Sequence, residues 1–460
     1  MTAGEDQDPE AESRPSQTAP AGRSVFRRMA KNAGWVFGSR GFNSVISVVY
    51  LAVVARALGP ADFGAFALIL TYAQMVANFI QFQSWKGVIR YGSLHVADKR
   101  PDRLERLFGF SATLDFASAI GGALIAVICV PLAGPWLHWA SDDQTVAAVF
   151  AGVLLLTTGA TPTGMLRLFD RFDLVAYSEA VGPLVRLAGS LIAWAVGGRV
   201  TAFLAVAAVA GVAQCLTQWV AALRINRSRL VFGPRAFKAA LKENERIWPF
   251  MLQTNISNSV TMFWTDLGTL AVGAVVGPAE AGGFRLARRI SKGFLRPIQP
   301  MILAIYPELT RLVAEDDHAQ LRTVVLRVTA VGMVIAAAIA IVMSFGSETI
   351  LRIIAGEKFE FAAPLLALLS VATAINLAGI TFEPLQNAHG RSWNVLRAKL
   401  IGAAVYGVVL FVLLPRLGGE GAAIAAIICA IVIFIQLAVL TVNVLKKPDS
   451  PSTPAVGESL

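Results

Sequence analysis

Charge is what this sequence has least of. Only 15% of its 460 residues are Asp, Glu, Lys or Arg, 55% are hydrophobic, and the mean hydropathy is +0.61. A soluble domain carries about 25% charged and about 45–50% apolar residues. The shortage of water-facing charge excludes an ordinary soluble surface and makes lipid the solvent. Cysteine is sparser still, with three in the chain. Cys129, Cys215 and Cys429 all lie in apolar runs, which excludes a disulfide framework or a metal cluster. The histidines, His95, His138, His318 and His389, are scattered and form no H-E-x-x-H spacing. No G-x-x-x-x-G-K-[ST] loop is present, so any uphill movement is not driven by ATP hydrolysis in this chain. Residues 1–22 lack an apolar stretch and hold Glu5, Asp6, Asp8, Glu10 and Glu12, which predicts a disordered polar tail and no signal peptide.

Apolar runs are what the chain has in plenty. Crossing a hydrocarbon layer of about 30 Å takes about 20 helical residues. Twelve runs fit: 33–58, 63–83, 107–133, 146–166, 174–197, 200–223, 247–275, 281–306, 324–346, 360–381, 395–415 and 420–445. The eighth is the least hydrophobic, but omitting it would scramble the sorting of positive charge. With twelve crossings, most of the 40 Lys and Arg fall in the N-tail, 84–106, 167–173, 224–246, 307–323, 390–399 and the C-tail. The other side receives only Arg56, Arg199, Arg352, Lys358 and Arg416. Positive loops stay on the cytoplasmic side, so both termini are expected there, in a multi-pass protein of the cytoplasmic (inner) membrane. The net charge of +10 is then a property of loops facing anionic headgroups and no sign of nucleic acid. Arg224, Arg227, Arg229, Arg235, Lys238 and Lys242 predict a linker running along that surface.

The chain repeats itself. Residues 58–68 read L-G-P-A-D-F-G-A-F-A-L, and 276–286 read V-G-P-A-E-A-G-G-F-R-L. Gly59/Gly277, Pro60/Pro278, Ala61/Ala279, Asp62/Glu280, Gly64/Gly282, Phe66/Phe284 and Leu68/Leu286 match in register. Each copy joins the first and second crossings of a six-crossing half. Gly-Pro ends one helix, the acid is placed to cap the next, and the second glycine permits close approach. Six is even, so the halves run the same way, as parallel repeats with a substrate site expected between them near the midplane. The expected organisation is an all-α integral membrane protein of about 12 transmembrane helices, two parallel six-helix bundles around a central cavity. Its parts are a disordered cytoplasmic tail (1–30), one bundle (31–223), a basic cytoplasmic linker (224–246), a second bundle (247–445) and a C-terminal tail (446–460).

The stretch A-R-A-L-G-P-A-D-F-G-A-F-A-L (55–68), with G-V-I-R-Y (87–91) and Y-P-E-L-T-R-L (306–312), resembles the polysaccharide flippases. They belong to the multidrug/oligosaccharidyl-lipid/polysaccharide exporter superfamily, with the multidrug/toxin extruders and the lipid II flippases. The resemblance spans about 30–445. It implies a V-shaped pair of bundles that works by alternating access. The implied cargo is a polyprenyl-diphosphate-linked oligosaccharide, carried to the outer leaflet for polysaccharide or lipopolysaccharide biosynthesis. It also implies membrane lipid as surroundings, polysaccharide polymerase and glycosyltransferases as partners, and no cofactor, metal or catalytic residue.

Charges inside the crossings point the same way. Each costs about 2.5–3.5 kcal/mol at the bilayer centre on the insertion scale, so each needs a reason. The eighth run holds Arg285, Arg288, Arg289, Lys292 and Arg296. At about 100° per residue they fall on one stripe. Arg289, Lys292 and Arg296 facing lipid would cost about 8–10 kcal/mol together, so the stripe is expected to line a wet cavity. Pro297 and Pro300 predict a bend there. In the lipid II flippases arginines of the first and eighth helices meet the diphosphate, and Arg40, Arg289 and Arg296 fit that pattern by location. Arginine's fork suits a diphosphate.

Glu179 and Arg186 share a face and are candidates for a structural pair bridged through another helix. Asp266 is either a counter-ion of the stripe or a coupling-ion site. Asp115 reads as a helix-end residue, Glu383 ends the tenth run, and Trp264, Tyr177 and Phe263 are candidates for sugar stacking. A cation-coupled multidrug extruder, the competing class, would present acids and aromatics instead. A membrane enzyme needs acids or bases on a sizeable loop, whereas the longest outside loop, around 134–145, offers only His138, Asp142 and Asp143.

Overall fold

The computed structural model describes residues 21–225, 230–293, 299–315 and 317–446. The first two apolar runs form one element, α1 (Ala21–Ile80), bent at Gly59. A straight helix of that length would measure about 90 Å, three times the hydrocarbon layer. Gly59 has φ +72°, a left-handed conformation that strains any L side chain, and Pro60 opens the second limb. The Gly-Pro pair thus reverses the chain without an intervening loop. Its counterpart Gly277 has φ +119° and separates α9 (Ile247–Val275) from α10 (Pro278–Gly293).

After α1 the first half continues through α2 (Ser84–Ala97), α3 (Pro101–Trp136), α4 (Ser141–Leu156), α5 (Ala160–Leu168), α6 (Phe172–Ala195) and α7 (Val200–Ile225). A short helix, α8 (Pro234–Glu243), links it to the second half. There α9 and α10 are followed by α11 (Gln299–Ala314), α12 (His318–Ala355), a 3-10 turn (Glu357–Ala362), α13 (Ala363–Ala378), α14 (Phe382–Ala388) and α15 (Ser392–Lys446). Like α1, α15 is two crossings in one element, bent at Gly418. Along the described residues the chain crosses twelve times, six before α8 and six after.

One run expected as a single helix is broken: the fourth divides into α4 and α5. The tenth ends with α13, and α14 follows beyond it after a gap at 379–381; the eighth contains α10 and the start of α11. The segment between α10 and α11, with Arg296 and Pro297, lies outside the described residues, as do the tails 1–20 and 447–460. Broken backbone inside a membrane survives only where other groups satisfy it. At the fourth crossing Trp219 Nε1 (3.1 Å) and Cys215 Sγ (3.2 Å) of α7 donate to Thr158 O. From α3, Asp115 Oδ2 accepts from Thr161 N (2.8 Å) and Thr161 Oγ1 (2.7 Å), while Ser84 Oγ donates to its other oxygen. Asp115 is 1% exposed and caps α5, not an end of its own helix. Asp115→Ala strands those donors in a buried site and is expected to cost about 3 kcal/mol. A lowered thermal midpoint of the purified protein in detergent checks this; an unchanged midpoint refutes it.

The breaks repeat between the halves. Both α4 and α13 have 16 residues and are followed by gaps at 157–159 and 379–381. The short pieces then pair, α2 with α5 in the first half and α11 with α14 in the second. Val88 and Met165 share one apolar cluster there, Leu309 and Leu385 another.

The repeated turns meet each other. A Cβ on Gly64 would stand 1.9 Å from Pro278 O, and one on Gly282 would stand 2.9 Å from Gly64 Cα. Close approach between the two copies is what the second glycine of each motif is for. Phe66, Leu68, Phe284 and Leu286 are all buried around this contact. The acids have diverged in use. Glu280 Oε1 accepts from Gly419 N (3.1 Å), capping the last crossing and not its own helix, whereas Asp62 is exposed. Phe63 meets Phe359 edge-on (5.4 Å), and Arg56 donates to the carbonyls of Ile353 and Ile354 at the end of α12.

The linker helix is held against α3. Phe237 packs on Phe110 (4.6 Å), and Arg106 forks onto Glu243 (2.7 and 3.1 Å) and reaches Asp102 (2.9 Å). The hydrogen bond to Glu243 raises the Arg106 pKa, and that from Arg106 lowers the Asp102 pKa. Arg235, Lys238 and Lys242 point away, exposed, while Arg227 and Arg229 lie outside the described residues.

Candidate functional site

The basic stripe of α10 faces two ways. Arg285 reaches across to the second limb of α1: Nη1 donates to Thr71 Oγ1 and Ala67 O (3.4 Å), and Nη2 to Gln74 Oε1 (3.0 Å). Thr71 gives its own proton to Ala67 O (2.6 Å), which leaves its lone pairs for the guanidinium. One turn on, Arg288 Nη2 lies 3.5 Å from Asp266 Oδ1 of α9. Asp266 Oδ2 accepts from Asn78 Nδ2 of α1 (3.2 Å), so this carboxylate ties both halves together. Ser259 of α9 adds a bond to Asn78 O (2.9 Å). Arg289 is exposed, and so is Lys292, which lines an open pocket despite its depth in the sequence run.

The internal repeat marks the residues of α1 that face the stripe and its counter-ion. Moving 218 residues back from Arg289, Lys292 and Arg296 lands on Thr71, Gln74 and Asn78. The first copy carries neutral acceptors where the second carries cations. Arg285 itself bonds to its own repeat counterpart, Ala67.

A pocket of about 380 Å³ opens inside the second half, between α10, α13 and α15. Arg288 and Lys292 line it with Ser291, Thr373, Asn376, Tyr406 and Lys399. Lys399 counted as a loop charge in the sequence; here it is two turns inside α15, bonded to Glu383 Oε1 (2.7 Å). Between the halves lies a second, apolar cavity of about 700 Å³, walled by Tyr72, Phe79, Trp136, Leu267 and Leu270 among others.

The remaining candidates are dispersed. Glu179 does not pair with Arg186. It lies 3.5 Å from Arg167, whose guanidinium stacks over Trp85 (4.8 Å), while Arg186 sits over Tyr50 (5.5 Å). Seven residues place Glu179 and Arg186 about two turns, roughly 10 Å, apart, and each finds a nearer partner on another helix. Tyr177 packs on Trp35 (5.2 Å). Arg40 is on α1, but its side chain and those of Phe263 and Trp264 are outside the described residues.

Comparison with known proteins follows this architecture. A multidrug resistance MATE family transporter of the MOP superfamily, inward-facing, superposes with a TM-score of 0.71 over 88% of this chain and 95% of its own, at 16% identity. Lipid II flippase MurJ, inward closed, gives 0.68 over 89% and 87%, at 11% identity. What is shared at these identities is the fold. Inner membrane protein YghQ of Escherichia coli (strain K12) is 29% identical over 341 residues, 73% of this chain and 94% of that protein. Residues 29–313 match the family described as polysaccharide biosynthesis protein.

The fold is the one shared with these membrane proteins. The chain belongs to the polysaccharide biosynthesis protein family.

Proposed function

We propose that the protein flips a lipid-diphosphate-linked oligosaccharide across the cytoplasmic membrane, both termini being cytoplasmic. The observation that carries this reading is the row of cations on α10 set against neutral Thr71, Gln74 and Asn78 of α1. Positive charge without an equal number of acids suits an anionic headgroup, and arginine's paired donors suit a diphosphate. The apolar cavity beside the same limb of α1 suits the lipid chain. Within the stripe, Arg285 joins the halves and Arg288 pairs with Asp266. Arg289, Arg296 and Arg40 are assigned to the substrate by their places on the eighth and first crossings. Glycosyltransferases and a polymerase are the partners that would supply and consume such a molecule.

The test is precursor translocation in spheroplasts. Arg289→Ala combined with Arg296→Ala is expected to reduce flipping at least about tenfold, since each lost charge-assisted bond is worth about 1.5–3 kcal/mol. Unchanged flipping would overturn the assignment. Resistance to cationic dyes on overexpression would favour the multidrug extruder instead.

A further inference from the structure

We propose that the second half contains an anion site of its own, the pocket between α10, α13 and α15, which takes a phosphate-type oxyanion. Three cations from two distant segments converge there: Arg288 and Lys292 from α10, and Lys399 from α15. Two of them are matched, Arg288 by Asp266 at 3.5 Å and Lys399 by Glu383 at 2.7 Å. Neither carboxylate is on the pocket wall, and no other carboxylate lines it among the described residues. Lys292 has no ion-pair or hydrogen-bond partner among the described residues, so the pocket carries one positive charge in excess.

An ammonium held among Leu369, Leu396 and Ile433 is strongly disfavoured unless a counter-charge joins it. Ser291 and Thr373 give their hydroxyl protons to Arg288 O and Leu369 O, and Asn376 Nδ2 gives one of its two to Ala372 O. The donors that remain for a ligand are the Lys292 amine, the second Asn376 N–H and the Tyr406 hydroxyl. A group with several acceptor oxygens and a negative charge completes that set. The polarity is opposite to what a coupling cation needs. The pocket is also distinct from the contact between the halves, where Arg285 is engaged by Thr71 and Gln74.

The oxyanion has two possible sources, free phosphate or the phosphate of an anionic lipid whose chain lies along the apolar wall. Full-length protein in nanodiscs of phosphatidylcholine is titrated by calorimetry with inorganic phosphate and, separately, with short-chain phosphatidic acid. Saturable one-site binding of either probe is the expected result. Phosphate binding identifies a free anion; binding of phosphatidic acid alone identifies a lipid headgroup. Lys292→Gln is expected to weaken binding about tenfold or more, Lys292→Arg to retain it, and Lys399→Gln to weaken it as well. Arg311→Gln, an exposed charge on α11, is expected to leave it unchanged. Should Lys292→Gln fail to fold, as judged by gel filtration, Lys399→Gln carries the comparison. No saturable binding of either probe, or wild-type affinity in the folded lysine variants, would overturn the site. Binding is read without translocation, so failure of the flippase reading and failure of this one are separately visible.

Discussion

Replacing Gly64 with valine is expected to prevent the halves from closing at the repeated turns and to abolish transport. A single Cβ there would lie 1.9 Å from Pro278 O, and the obstacle is backbone, which no rotamer change can clear. Overpacking of this kind costs about 1–3 kcal/mol, occasionally more. On an equilibrium between two arrangements of the halves, that is a shift of about 5- to 150-fold away from the closed form. Spin labels on either side of the turn, at Asp62 and Lys358, report the separation directly. The distance distribution of Gly64→Val should move to longer values, while that of Gly121→Ala should match wild type, because nothing lies within 4 Å of a Cβ at Gly121. An unchanged distribution in the valine variant would show that the two copies do not bear on each other here.

The second large effect is expected at Asp266. Arg288 is mostly buried and lies 3.5 Å from this carboxylate, with side-chain exposures of 18% and 11%. Removing one member of a buried pair costs about 3–5 kcal/mol, because the other is left uncompensated. Asp266→Ala also removes the acceptor for Asn78, loosening the tie between the halves. The thermal midpoint should therefore fall well below that of wild type. Removing both charges is different in kind: a buried pair replaced by apolar groups is often neutral. Asp266→Ala with Arg288→Leu should recover most of the lost stability, and transport with it. This decides between the two roles open to Asp266. A counter-ion is dispensable once its partner has gone, whereas a coupling site is not. Recovered stability with transport still absent would assign Asp266 to coupling.

How far the chain can be read without coordinates differs from residue to residue. Gly59 and Gly277 announce their role, because a Gly-Pro turn between apolar runs has few other uses and both adopt left-handed φ. Asp115 announces nothing. Its function depends on Thr161 and Ser84, brought to it by packing. The pairing of Glu179 with Arg167 over Arg186 is likewise a matter of which helices are adjacent. Lys399 reads in the sequence as a loop charge, because positive charge alone marks the start of the eleventh run. Its Glu383 partner and the pocket are what allow α15 to carry it two turns inward.

The sequence by itself determined the solvent, the count of twelve crossings and the parallel repeat, since each follows from periodicity, length and internal identity. It also determined that the second half alone carries a row of cations. Only the tertiary structure decided what the row does. Side chains that share one stripe of one helix are divided by their neighbours: Arg285 is drawn to α1, Arg288 to Asp266, and Lys292 opens into a pocket shared with Lys399. The physical reason is that a charge in a low-dielectric interior is governed by the few groups within about 4 Å. Those groups come from other helices, and their identity is written far away in the chain.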